Sequence, residues 1–177
     1  GSRDERLGHL WCSQVCCPYA LRMAQVMLEK NPELDLSVFY MDIQNTGKSS
    51  PLFYKKCKKD FRFVRNVPVD IFPADKDNVR IRFMDDQGQA VLEEFELVVL
   101  SVGIMPGADN PRTSALMGVA LDEDGFILGQ GALNKTLTSK EGVFVAGTAQ
   151  GPKDIAGSMA QAGEAANQVI KHLGVVR

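Results

Sequence analysis

Two groups of residues in this sequence have the types and spacing to do chemistry. Cys12, Cys16 and Cys17 crowd three of the chain's four cysteines into six positions. Secreted disulfide scaffolds spread their cysteines, so clustered thiols point instead to metal or redox chemistry. The second group is the segment Gly142–Ala166, GVFVAGTAQGPKDIAGSMAQAGEAA. Its apolar run Val143–Ala146 stops at Gly147, a polar loop with Gly151 and Pro152 follows, and a helix of very small residues comes next. A strand that ends in glycine and leads to a helix start leaves backbone N–H groups and the positive helix end facing open space. In α/β proteins that crevice holds an anion or an electron-poor ring system. The alternative is a tight strand–helix connection that binds nothing.

The elements that position these groups lie in a chain of 177 residues, 45% hydrophobic and 24% charged. That is ordinary soluble material, enough for one core or two small lobes. A formal net charge of -2 gives no reason to invoke nucleic acid or an anionic membrane. The run Lys55, Lys56, Lys58, Lys59 reads as a solvated helix face. No apolar stretch approaches the roughly 20 residues that span a bilayer, and no signal peptide opens the chain. The expected location is cytoplasmic.

A helix is predicted over residues 16–30, then a short strand at Leu36–Met41. Ser50 caps a second helix, with Pro51 in its first turn. Leu52, Phe53, Cys57 and Phe61 recur at about one helical turn, which turns Cys57 to the core as a small hydrophobe. Phe61–Val64 is a further strand, and residues 69–95 alternate in the manner of a meander with a hairpin at Asp85–Gly88. Leu97–Val102, continuously apolar, is expected as a parallel strand buried on both faces, ended by Gly103–Pro106. Asp122–Gly125 lacks the pattern of a calcium loop and reads as a turn. The last helix, about 155–173, is expected to bury Ile155, Met159, Ala162, Ala166, Val169 and Leu173, leaving Gln161, Glu164, Gln168 and Lys171 outside.

This order is half of a doubly wound sheet. The helix at 16–30 has no apolar strand to feed it, and no G-x-G-x-x-G occurs in the sequence. The chain therefore reads as a piece cut from a longer one.

Three blocks carry a resemblance: GSRDE…WCSQVCC at the start, VLSVGIMP (Val99–Pro106), and VFVAGTAQGPKDI (Val143–Ile155). They resemble the A subunit of heterodisulfide reductases and related flavoproteins of anaerobic electron transfer. The first block is similar to the family's pattern, in which Cys-x-Gly-Ser-Arg-Asp-Glu precedes Cys-x-x-x-Cys-Cys. The second resembles the strand ending the nucleotide-type domain of two-dinucleotide flavoproteins. The third is close to the family's flavin-contacting segment. The resemblance covers essentially the whole chain and implies a thioredoxin-reductase-like α/β fold. Residues 1–102 would be a Rossmann-like, three-layer NAD(P)-type subdomain bearing the cysteine motif, and 103–177 the C-terminal part of the FAD-binding domain. It also implies FAD, nearby iron–sulfur clusters, partner subunits of an electron-transfer complex, and ferredoxin-type modules. Gly1-Ser2 is either family sequence or a cloning scar.

On that resemblance Cys12, Cys16 and Cys17 are ligands of a [4Fe–4S] cluster, with a fourth cysteine lying before Gly1. A loop-to-helix junction can supply several thiolates from one turn, and a helix start favours the thiolate form. The implied flavin contacts are Gly103, Gly147, Thr148, Gln150, Gly151, Pro152, Lys153, Asp154 and Ile155. Two-dinucleotide flavoproteins ordinarily carry an aspartate where this chain has Thr148, a departure shared with the resembled family. Lys153 takes the catalytic role, as a cation near the flavin's reactive edge that stabilises the anionic reduced ring. Its alternative is a solvated loop lysine. The isolated chain is expected to be inactive and to keep neither cofactor in full. Two other functions compete. An NAD(P)H-dependent FAD disulfide reductase would need a glycine-rich phosphate loop where the cysteine motif stands, although Asp42 would suit a ribose contact. A non-enzymatic binding or assembly module would use the thiols to hold zinc.

Overall fold

The computed structural model describes residues 3–45, 48, 50–131 and 133–175, so the Gly1-Ser2 of the opening motif lies outside it. Internal contacts divide the chain into two units, Cys16–Ser101 and Gly1–Val15 with Val102–Arg177. The sequence reading draws one boundary at 102/103, whereas the structure groups the first fifteen residues with the later part of the chain. Trp11 and Ser13 give the physical reason. Trp11 Nε1 donates to the Ile104 carbonyl at 2.9 Å, and Ser13 Oγ accepts the Ile104 N–H at 2.6 Å. The Trp11 ring also meets Phe126 edge to face at 5.7 Å.

In the unit Cys16–Ser101, helix α1 spans Cys16–Lys30, strand β1 Ser37–Phe39, helix α2 Ser50–Asp60 and strand β2 Arg62–Val64. β1 and β2 pair in parallel, Val38 opposite Phe63, with α2 as the crossover. Leu21 of α1 and Cys57 of α2 meet Phe61 in the core, flanked by Leu28, Val38 and Phe63. Cys57 is fully buried there, on the face its spacing predicts. A second sheet follows as an antiparallel meander, β3 Asp70–Pro73, β4 Val79–Met84 and β5 Ala90–Phe95. The β4–β5 hairpin turns where Asp85 Oδ1 accepts the N–H groups of Gln87 and Gln89 at 2.9 and 2.8 Å. Ile81 and Phe83 point inward, and Phe39 of β1 packs on Phe83 at 5.0 Å.

The mixed α/β character expected from sequence holds, and among the described residues its parallel part is the single β1–β2 pair. Leu97–Val102 corrects the reading. It forms no strand, and Leu97, Val99, Leu100 and Val102 are 59–70% exposed. Apolar character alone does not make a strand: the backbone groups need a neighbouring ladder, and no described strand pairs with this run.

In the other unit, helix α3 spans Asn110–Met117 and helix α4 Ile155–His172. Between them the described residues are held by isolated bridges and turns rather than ladders. Asp122–Gly125 is a turn, its Asp122 Oδ1 accepting the N–H groups of Asp124 and Phe126. Val143–Ala146 is reduced from the expected strand to one bridge, Leu137 with Phe144, plus a bond from Val145 N–H to the Thr136 carbonyl. Val119, Phe126 and Val145 are the core here. α4 is rotated from the expected face. Ile155, Met159 and Leu173 are 67–81% exposed, while Gln161 is buried. A buried glutamine bonded on both sides outweighs the apolar stripe in setting that rotation. No helix among the described residues is long and apolar enough to cross a membrane.

Candidate functional site: a glycine loop clamped from within, and two thiol segments

Cys12 lies in a tight turn of the unit that contains Val102–Arg177. Its sulfur accepts the Gln14 N–H at 3.3 Å, and Gln14 takes the left-handed conformation (φ 64°) that aims that N–H back. Hydrogen bonds of this kind stabilise negative sulfur and tune clusters. Cys16 and Cys17 open α1 in the other unit. Cys16 is buried, and the half-buried Cys17 donates from Sγ to the Asp42 carbonyl at 3.9 Å. Burial pushes the Cys17 thiol above its ordinary value, and the adjacent Cys16 adds to the rise. Burial likewise raises the Cys57 thiol, with the Asp60 carboxylate adding to it. All four cysteines are unbridged. Among the described residues no group of three or more His, Cys, Asp or Glu side chains could hold a metal ion.

The loop before α4 is built around Gly147, whose φ of 74° lets the chain leave Ala146 and turn at once into the short 3-10 turn Gly147–Ala149. Its shape is fixed by a polar network. Gln161, reaching from the second turn of α4, accepts the Gly147 N–H at 2.9 Å and donates to Gln150 Oε1. Gln150 Nε2 donates to the Lys135 carbonyl at 2.5 Å, fastening the loop to the preceding segment. Lys153 completes the clamp. Its ammonium donates to the carbonyls of Gly147 (3.0 Å) and Gly151 (3.1 Å) and to Gln150 Oε1 (3.4 Å). Burial holds its pKa below the usual lysine range, and the nearby Lys135 charge lowers it further. The lysine singled out as a cation for a ligand is thus turned into its own loop.

Asp154 caps α4, its Oδ1 accepting the Gly157 N–H at 2.7 Å. The outer edge of the loop is left to Thr148, Asp154 and Ile155, all exposed, with Pro152 half-buried. At Gly151 no atom beyond its own chain neighbours stands within 4 Å of where a Cβ would sit. The backbone is open on that side. Gly103 takes no part in this network; it neighbours Ile104, the residue that anchors Trp11 and Ser13.

Gln161 is the participant that sequence reasoning placed on the solvated face. The signal available was its setting among Gly157, Ser158, Ala160, Ala162 and Gly163, which lets helix and loop approach closely. A different polar group in this region has no such support: Thr136 Oγ1 is buried without a hydrogen-bond partner among the described residues. An unmet buried hydroxyl is unfavourable, so Thr136→Val, which keeps the shape, is expected to raise stability by about 1 kcal/mol. A urea midpoint lower than that of the parent would contradict this.

Over nearly its whole length the chain is similar to proteins named for one enzyme. It is 38% identical over 175 residues to the iron-sulfur A subunit of the CoB–CoM heterodisulfide reductase of Methanocaldococcus jannaschii, which takes in 96% of this chain and 26% of that protein. It is 35% identical over 170 residues to the A subunit of the H(2):CoB-CoM heterodisulfide,ferredoxin reductase of Methanothermobacter thermautotrophicus, covering 94% and 26%. It is 34% identical over 173 residues to a protein of Archaeoglobus profundus named as like the heterodisulfide reductase A subunit, covering 96% and 24%. The chain thus spans about a quarter of the length of these curated relatives. No protein-family model matches it.

Proposed function

We propose, on the premise that this chain is homologous over nearly its whole length to heterodisulfide reductase A subunits, that it is part of a larger flavoprotein oxidoreductase of electron transfer. The observation that carries this reading is the 38% identity across 96% of the chain. On it, residues 1–102 correspond to a Rossmann-like nucleotide-type subdomain and 103–177 to the C-terminal part of a flavin domain. Other subunits and ferredoxin-type modules are the partners, in the cytoplasm. Cys12, Cys16 and Cys17 act as ligands of an iron–sulfur cluster whose shell is completed from elsewhere in the longer protein.

FAD is the cofactor at the Gly147 loop, and Gly151 supports that assignment through its open approach. Gly147, Thr148, Gln150, Gly151, Pro152, Asp154 and Ile155 form the contact edge, with Gly103 a further backbone contact. Bound FAD supplies the exchange between two-electron and one-electron carriers. The chain's own groups hold the loop ready for it. Gln161 fixes the Gly147 N–H, Gln150 fastens the loop to Lys135, and Lys153 draws the Gly147 and Gly151 carbonyls together. A loop already held in its binding shape loses little entropy when it takes up a ligand. Lys153 therefore serves as a positioning residue whose charge adds to the potential at the loop.

The test uses the longer protein that contains this sequence, purified without oxygen. Stoichiometric FAD and iron–sulfur absorbance are expected, with Lys153→Ala weakening FAD retention and lowering the flavin reduction potential. Absence of flavin would overturn the functional reading. Flavin present with both quantities unchanged in the variant would remove only the role given to Lys153. Zinc in place of iron would favour a binding module.

A further inference from the structure

The last turn of α4 and the segment that ends at Phe144 enclose an open cleft of about 480 Å³, within the unit Val102–Arg177. This size is that of a small-molecule site. Three basic side chains line it: Lys140 from the loop, and Lys171 and His172 from the helix end. The loop is firmly held. Thr138 Oγ1 accepts the Lys140 N–H at 3.2 Å and lies 2.8 Å from the Val143 carbonyl, to which it donates. Gly142 follows with φ 77°, and its missing Cβ would stand 3.4 Å from His172 Nε2, so the imidazole lies against bare backbone. The same ring meets Phe144 edge to face at 5.9 Å.

Among the described residues no ion pair engages Lys140, Lys171 or His172, and Glu141 is the sole carboxylate on the wall. Lys171 and His172 are where a helix C-terminus favours cations, which accounts for them without any ligand. Lys140 has no such reason, since it arrives from a separate segment. Three basic residues lining one cleft also run against the chain's overall charge of -2. Lysine ammoniums are compact point charges with rotatable donors and bind phosphate oxygens in that form.

We propose that this cleft is a binding site for a small phosphate-bearing ligand, its phosphate held by Lys140, Lys171 and His172. The proposal stands apart from the flavin reading and uses none of the residues in the Gly147 loop. Titration of the whole chain with inorganic phosphate at constant ionic strength, followed through NMR signals of the His172 ring and the Gly142 amide, tests it. Saturable shifts are expected, and Lys140→Gln and Lys171→Gln should each weaken binding roughly tenfold. Lys56→Gln, on α2 in the other unit, should leave it unchanged. Absence of saturation, equal shifts with chloride, or an unchanged affinity in Lys140→Gln would overturn the proposal. The last result would return the helix-end cations to the role of dipole partners.

Discussion

Leu21→Ala is expected to cost about 2–5 kcal/mol and to open the core of the Cys16–Ser101 unit to solvent. Leu21 is 1% exposed and closes on Cys57 and Phe61, so its loss leaves a cavity between α1 and α2 rather than a surface notch. Cys57 reports the outcome directly. In the native state it is expected to react slowly for two reasons, complete burial and a thiol pushed up by that burial. Alkylation then proceeds mainly through opened molecules, and 2 kcal/mol corresponds to a rate increase of roughly thirtyfold. The consequence reaches the thiols proposed as ligands, because Leu21 anchors the helix whose first turn bears Cys16 and Cys17. A variant whose Cys57 alkylates at the parent rate would show that this contact does not hold α1 in place.

The parts legible in the sequence are those that local rules decide. α1 begins at Cys16 and ends before Asn31–Pro32, α2 begins at Ser50 with Pro51 behind it, and the β4–β5 hairpin turns at Asp85–Gly88. Each rests on a cap, a proline or an alternation that needs no distant partner. Leu97–Val102 departs from expectation because a buried strand depends on neighbours that the run itself does not encode. The face of α4 departs for a related reason. Its apolar stripe reads as the packed side, yet the side against the loop is chosen by Gln161, whose two bonds go to Gly147 and Gln150, outside the helix and beyond the reach of its own periodicity. At the loop itself, the glycines and the Asp154 cap are readable. The inward turn of Lys153 is not, since a lysine reads as solvated until its acceptors are known. The cysteines are legible as a chemical group through their spacing alone, whereas their surroundings, from the Gln14 N–H on Cys12 to the Asp42 carbonyl beside Cys17, come from folds of the backbone.

Gly129→Ala is expected to break the network under the Gly147 loop, at a cost of about 2–4 kcal/mol. Gly129 is not held in the left-handed region, so alanine brings no conformational penalty and the effect is purely one of contact. A Cβ there would stand 2.3 Å from the Lys135 carbonyl oxygen, 2.9 Å from its carbon and 2.6 Å from Gln150 Nε2. These separations lie well inside van der Waals contact, and two of the three atoms are backbone that cannot rotate away. Relief requires the 129 and 135 segments to part, which removes the bond from Gln150 to Lys135. Overpacking of this kind costs about 1–3 kcal/mol, and the lost hydrogen bond about 1 more. Trp11, the chain's single tryptophan, lies in the same unit and serves as the unfolding probe. A second variant locates the clash. Gln150→Ala combined with Gly129→Ala should not restore the urea midpoint, because the closest atom belongs to the Lys135 backbone. Full restoration would place the strain in the glutamine side chain instead. In the longer protein the same substitution should weaken flavin retention, since it displaces Gln150 from the Lys135 carbonyl and loosens the loop from below.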